Sequence, residues 1–212
     1  MSKSESKAFR SVVGRTPNQK KFIQTVNEKD FTILSGVWGT GKSYLSVGLA
    51  CEYLIKGKVD KIVFVRSSFG LVKDLGYNAG DWHTKGLPMF DQVVEYFISF
   101  LGTGMFNRFC DEGAIELLST PLLRGRNYST TFLVLEEAQL ADREETILFI
   151  SRVDKGTKVI MAGDINQAQP NSFFELMMNE FEDEAVGKCW LTEEDVQRNK
   201  HIARICNKMK NL

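Results

Sequence analysis

Gly36-Val37-Trp38-Gly39-Thr40-Gly41-Lys42-Ser43 reads G-x-x-x-x-G-K-S, the spacing of a phosphate-binding loop. Glycines let a backbone curl until successive N–H groups converge on one point. A helix beginning there adds the positive end of its dipole. The Lys42 ammonium can reach β- and γ-phosphates, and the Ser43 hydroxyl can hold Mg²⁺. The expected nucleotide contacts are Gly36, Val37, Trp38, Gly39, Thr40, Gly41, Lys42, Ser43 and the adjoining Tyr44. An apolar run, Phe31 to Leu34, leads into the loop, and a helical pattern, Tyr44 to Ile55, leads out. That strand–loop–helix order is the context this chemistry requires.

A second group of residues supplies acids. Leu133-Val134-Leu135-Glu136-Glu137 is an apolar strand ending in two carboxylates, the form of a Walker B motif. Neighbouring residues of an extended chain point to opposite faces, so the two acids take separate tasks. Glu136 is expected to position Mg²⁺ together with Ser43. Glu137 is expected to act as the base toward the attacking water. Farther on, Gly163-Asp164-Ile165-Asn166-Gln167 closes another apolar strand. Asp164 and Gln167 fall beyond a strand end, where open α/β sheets bind ligands. A glutamine amide bonds to both water and phosphate, which suits a sensor of nucleotide state. Gln19 lies shortly before the first strand. Its amide could read an adenine edge, although spacing alone favours an exposed surface residue.

Several elements must position these groups. Thr16 caps a helix with Pro17 in its first turn, and Phe22, Ile23 and Val26 recur at helical spacing. Phe31–Ser35 reads as a buried strand, Ser43–Lys56 as a helix and Lys61–Arg66 as a second strand. Such a strand–helix–strand unit predicts parallel pairing and an α/β sheet. Ser67 to Gly86 is punctuated by glycines and reads as loops with short helical pieces. Pro88 to Cys110 is rich in aromatic residues and predicts a buried helix pair broken near Gly102 and Gly104. Ala114–Ser119, Thr131–Leu135, Lys158–Ala162 and Cys189–Leu191 read as further strands, and Arg124-Gly125-Arg126 as a turn. Helices are expected from Asp142 to Val153, with Glu145 completing a capping box, from Ser172 to Phe181, and from Glu193 or Glu194 to Lys210.

Composition limits the partners. The 212 residues carry a formal net charge of +0, so any nucleic-acid site must be a local patch. Hydrophobic content of 43% is that of a globular domain, and no apolar run spans a bilayer. Met1 to Lys7 is polar and has no signal core, which predicts a cytoplasmic protein with no membrane partner. Residues 1–14 read as a flexible tail and 15–212 as a single catalytic domain. Cys51, Cys110, Cys189 and Cys206 show no C-x-x-C spacing and read as reduced thiols. His83 and His201 are the only histidines, too few for a histidine-based zinc site.

Taken together, the pieces resemble one family, the PhoH-like proteins. These are phosphate-starvation-type ATPases related to superfamily 1 helicases, found also in phage genomes. The matching segments run in order from Thr16 to Lys208. They are Pro17–Lys20, Gly36–Ser43, Ile62–Arg66, Lys73–Gly76 with Gly80-Asp81, Arg124–Arg126, Phe132–Gln139, Gly163-Asp164 with Gln167, and Glu194–Val196 with Arg198. The resemblance implies a single RecA-like P-loop NTPase domain, a mostly parallel central sheet flanked by helices, and ATP hydrolysis with Mg²⁺. It raises Gln19 to an adenine contact and Arg198 to an arginine touching the γ-phosphate. Three positions depart from the family pattern. Glu136 stands where the family has Asp, Ser67 where it has Pro, and Val37-Trp38 where it has a smaller pair.

A two-domain helicase closes a second domain over the nucleotide, and arginines from it are worth on the order of 10³–10⁵ in rate. One such domain is present here, so the expectation is a homo-oligomer, such as a hexameric ring, in which a neighbour supplies Arg152, Arg124 or Arg126. The reading that follows is an ATPase acting on RNA or single-stranded DNA, with Arg66, Lys73, Lys85, Arg124 and Arg126 as candidate contacts. Two alternatives stay open: a nucleotide-binding switch or scaffold with weak turnover, and a small-molecule kinase.

Overall fold

A computed structural model describes residues 9–67, 88–168 and 172–197. Lys73, Lys85, Arg198 and the expected helix beyond residue 197 lie outside the described residues. The strands are β1 (Phe31–Gly36), β2 (Lys61–Arg66), β3 (Ile115–Ser119), β4 (Thr131–Glu136), β5 (Lys158–Gly163) and β6 (Val186–Leu191). They form one sheet in the order β3-β2-β4-β5-β1-β6, and every neighbouring pair is parallel.

Side-chain alternation explains why the sheet is covered on both faces. Phe132 and Val134 of β4 join one core cluster, whereas Leu133 and Leu135 join the other. The first cluster takes helices α1 (Pro17–Glu28), α2 (Lys42–Ile55), α3 (Asp91–Leu101) and α4 (Thr103–Asp111). The second takes α5 (Arg143–Ile150) and α6 (Phe173–Asn179). Burying a large apolar side chain contributes roughly 1.5–3 kcal/mol, so fully buried Phe22, Phe97, Phe132 and Phe174 are strong anchors of these layers. Between adjacent β1 and β5 the chain leaves on opposite sides, by α2 after β1 and by α6 after β5. That divergence opens the crevice where α/β sheets hold ligands.

Several expectations change in detail. Packing begins ahead of residue 15, because Val12 is buried and a Cβ on Gly48 would stand 2.7 Å from its side chain. The break between α3 and α4 falls at Gly102, and Gly104 lies inside α4. The α5 helix stops at Ile150 because Val153 bridges to Tyr128. Asp142 caps α5 by accepting from the Glu145 N–H at 2.8 Å, but Glu145 uses its carboxylate on the Ser67 and Thr120 hydroxyls. No helix begins at Glu193 or Glu194. Glu193–Asp195 is a 3₁₀ turn whose Asp195 side chain folds back on Thr192 in a capping box. No helix among the described residues is long and apolar enough to cross a membrane.

Candidate nucleotide site

The loop Gly36–Ser43 joins β1 to α2. A Cβ on Gly36 would meet the Leu191 Cβ at 2.8 Å, so only glycine lets the loop leave β1 against the edge strand. Gly41 has φ of 88°, a left-handed backbone that favours glycine, and it stands at the N-cap of α2. The loop braces itself, since the Thr40 hydroxyl donates to the Val37 carbonyl at 2.7 Å. The Lys42 ammonium donates to the Gly36 and Val37 carbonyls at 2.6 and 3.3 Å. Burial pushes the Lys42 amine down from its ordinary range, and Asp164, Glu137 and Glu136 oppose that shift.

Alternation along β4 decides where Glu136 goes. It continues the face of Phe132 and Val134, the side covered by α2, and its register partner on β2 is Arg66. There the Ser43 hydroxyl donates to Glu136 Oε2 at 3.1 Å, and Arg66 Nη2 donates to the same oxygen at 3.3 Å. Glu136 is 1% exposed, and its Oε1 is buried without a hydrogen-bond partner. Burial lifts the Glu136 carboxyl above its ordinary range, against the nearby Arg66 cation. The extra methylene of Glu136 therefore does not prevent contact with Ser43. An orphaned carboxylate oxygen beside a loop hydroxyl fits a divalent cation held directly or through its water.

Glu137 follows with φ of 51°, a left-handed backbone rare outside glycine and worth roughly 1–3 kcal/mol of strain. Strain of this kind concentrates at functional sites. Gln139 Nε2 donates to Glu137 Oε2 at 2.7 Å, while Gln139 Oε1 accepts from the Asp164 N–H at 3.1 Å. Asp164 is 1% exposed and spends its carboxylate on its own turn. It accepts from the Asn166 N–H at 3.0 Å and from Gln167 Nε2 at 2.8 Å. The turn is tied to the end of β1, where Ser35 Oγ accepts from the Ile165 N–H at 3.2 Å.

Gln19 does not sit on the surface. It is 2% exposed, with Nε2 donating to the Thr40 carbonyl at 2.9 Å and Oε1 accepting from the Arg15 N–H at 2.8 Å. Both ends of its amide thus hold backbone around the loop. A cavity of about 540 Å³ brings Gln19, Trp38, Gly39, Gly41, Lys42, Ser43, Tyr44, Glu137, Asp164 and Gln167 to one space, which is within the range of small-molecule sites. Arg124 and Arg126 are not part of it. Arg126 pairs with Glu116 at 2.8 Å near the start of β3, and it lines a separate depression with Asp60 and Lys61. Arg152 lies beside it, with Nη1 donating to the Arg126 carbonyl at 3.3 Å.

The sequence pattern of the family described as PhoH-like protein matches residues 11–210. The chain belongs to the PhoH-like proteins. A PhoH-like protein of Synechocystis sp. is 28% identical over 199 residues, which are 92% of this chain and 61% of that protein. Protein PhoH of Escherichia coli K12 is 28% identical over 77% of this chain and 47% of its own length. The chain spans about half the length of the curated relatives it matches. In fold, it is similar to the large terminase of a thermophilic bacteriophage in its complex with ADP. That likeness has a TM-score of 0.56 at 13% identity, over 91% of this chain and 49% of the terminase. The fold is that of a RecA-like P-loop NTPase.

Three further groups of this PhoH-like chain reach the site. Gln139 falls inside the matched segment Phe132–Gln139, but nothing in its type announces a bridge between two strand ends. Arg10, Val13, Gln92, Tyr96 and Ser99 line the cavity from the N-terminal segment and α3. Gln92, Tyr96 and Ser99 recur at helical spacing, a signal that the aromatic core residues around them hide. The third group is a clamp. Asp195 accepts from the Thr16 hydroxyl, from Asn18 Nδ2 at 2.9 Å and from the Thr192 N–H at 2.7 Å. Two residues on, the Gln197 N–H donates to the Gly39 carbonyl at 2.9 Å.

Burial works against the Asp195 charge, but bonds from Thr16, Asn18 and Thr192 outweigh it and hold the carboxyl below its ordinary range. A depressed folded pKa contributes stability that is present above the unfolded value of about 3.9 and is lost as pH falls through the folded value. Asp195→Ala is expected to cost about 2 kcal/mol at neutral pH, since it strands several donors. Denaturant midpoints at neutral and acid pH check this. Wild type should lose more stability on acidification than the variant, and equal losses would remove Asp195 from this role.

Proposed function

We propose that this PhoH-like chain binds and hydrolyses ATP with Mg²⁺ at the cavity above β1, β4 and β5. We further propose that it works on RNA or single-stranded DNA as a homo-oligomer. The observation that carries the reading is the Ser43–Glu136 hydrogen bond, which sets a loop hydroxyl and a buried carboxylate together beside Lys42 and Glu137. Ser43 and Glu136 would hold Mg²⁺, which would supply positive charge against the phosphates. Converging loop N–H groups and Lys42 orient the triphosphate, and Glu137 accepts the proton of the water that attacks the γ-phosphorus. As that water adds, the bond from the γ-phosphorus to the bridging oxygen breaks, leaving ADP and phosphate. Gln167, which lines the cavity, is the proposed sensor whose amide would bond the attacking water and the γ-phosphate, and Arg198 is the proposed in-chain arginine. A neighbouring copy of the chain is proposed to complete the cavity. Arg124, Arg126 and Arg152 are the proposed arginines of such a neighbour, and Arg126 and Arg152 lie side by side.

ATP turnover measured with and without single-stranded RNA tests this reading. Free phosphate is the expected product, with a faster rate when RNA is present. RNA binding should weaken steeply between about 50 and 200 mM salt if lysines and arginines contact phosphates. A phosphorylated acceptor in place of free phosphate would instead identify a kinase, and binding without turnover would identify a switch.

A further inference from the structure

Glu136 is held from two sides, and one of them belongs to neither the phosphate loop nor its helix. Arg66 ends β2 directly across the sheet from Glu136. Glu136 is buried, at 2% side-chain exposure, and Arg66 is partly buried, at 20%. Arg66 Nη1 donates to the Met89 carbonyl, and the guanidinium lies over the Phe90 ring at 5.5 Å from its centroid. One planar group thus links Glu136 to the turn that opens α3. Ser43 and Arg66 both grip Oε2, so Oε1 is the atom left to face a cation or its bound water.

A glutamate has one more torsion than an aspartate, and a ligand that wanders binds a metal weakly. We infer that Arg66 is a positioning residue that fixes the Glu136 carboxylate for Mg²⁺, offsetting the freedom of the longer side chain. The inference rests on the nucleotide reading above. Partners that orient a metal ligand typically contribute 10–100-fold to metal affinity. A guanidinium suits this place because its fork serves a carboxylate and a carbonyl at once while its cation lies over an aromatic ring. A lysine keeps the charge and loses the fork.

Equilibrium binding of a fluorescent ATP analogue, titrated with Mg²⁺ and repeated in EDTA, tests the inference without reference to turnover. Arg66→Ala should raise the Mg²⁺ concentration for half-maximal effect by about tenfold or more while leaving affinity in EDTA unchanged. Arg66→Lys should fall between the two. A midpoint that stays constant or drops in Arg66→Ala overturns the inference, a drop being the behaviour of a cation that merely repels the metal. An equal loss of affinity with and without Mg²⁺ also overturns it, since that marks general damage to the fold. If Arg66→Ala does not fold, Arg66→Lys decides alone, and a wild-type midpoint there overturns the idea. Wild-type protein that binds no nucleotide under either condition overturns the nucleotide reading itself.

Discussion

Glu137→Gln is expected to bind ATP as the parent does and to turn it over about 10²-fold or more slowly, the usual contribution of a positioned base. The substitution isolates basicity. Glutamine keeps the length and an acceptor oxygen, so the bond from Gln139 Nε2 that orients residue 137 can persist. The left-handed backbone at φ 51° belongs to the turn after β4 and is set by the chain on both sides. What disappears is the ability to take a proton from water. Binding of labelled ATP measured beside single-turnover hydrolysis separates the two effects. An unchanged rate would take Glu137 out of the catalytic role, and a parallel fall in affinity would show that its part is structural.

Lys42→Ala is expected to lose both binding and turnover, with affinity falling about 10²-fold or more, on the scale of removing one preorganised charged donor. The reason is local charge balance. Glu136, Glu137 and Asp164 all act on the Lys42 ammonium from nearby. Without that ammonium, a cavity bordered by acids must receive a polyanion. Titration calorimetry with ATP in the presence of Mg²⁺ measures the change. Parent-like affinity would mean that the triphosphate does not lie along this loop.

Most of the architecture was legible because period and punctuation agree. Continuous apolar runs at Ile62–Val65 and Phe132–Leu135 are what strands covered on both faces require. The phosphate loop and the paired acids were legible because each residue type has a job that few others do. Less legible were residues whose partners are distant in sequence. Gln19 looks like a surface amide until Thr40 and Arg15 are brought to its two ends. Asp195 looks like one acid in an acidic stretch until Thr16 and Asn18, far earlier in the chain, converge on it. The sequence also carries no sign that Arg66 and Glu136 share a register. That pairing follows from strand order, which period alone does not reveal.

The bond from the Gln197 N–H to the Gly39 carbonyl has a mechanical meaning. It joins the peptide leading toward Arg198 to the middle of the phosphate loop, while Asp195 moors that same peptide to the start of α1. The residue-197 peptide and the Gly39 carbonyl are therefore coupled, since neither can shift far alone without breaking this bond.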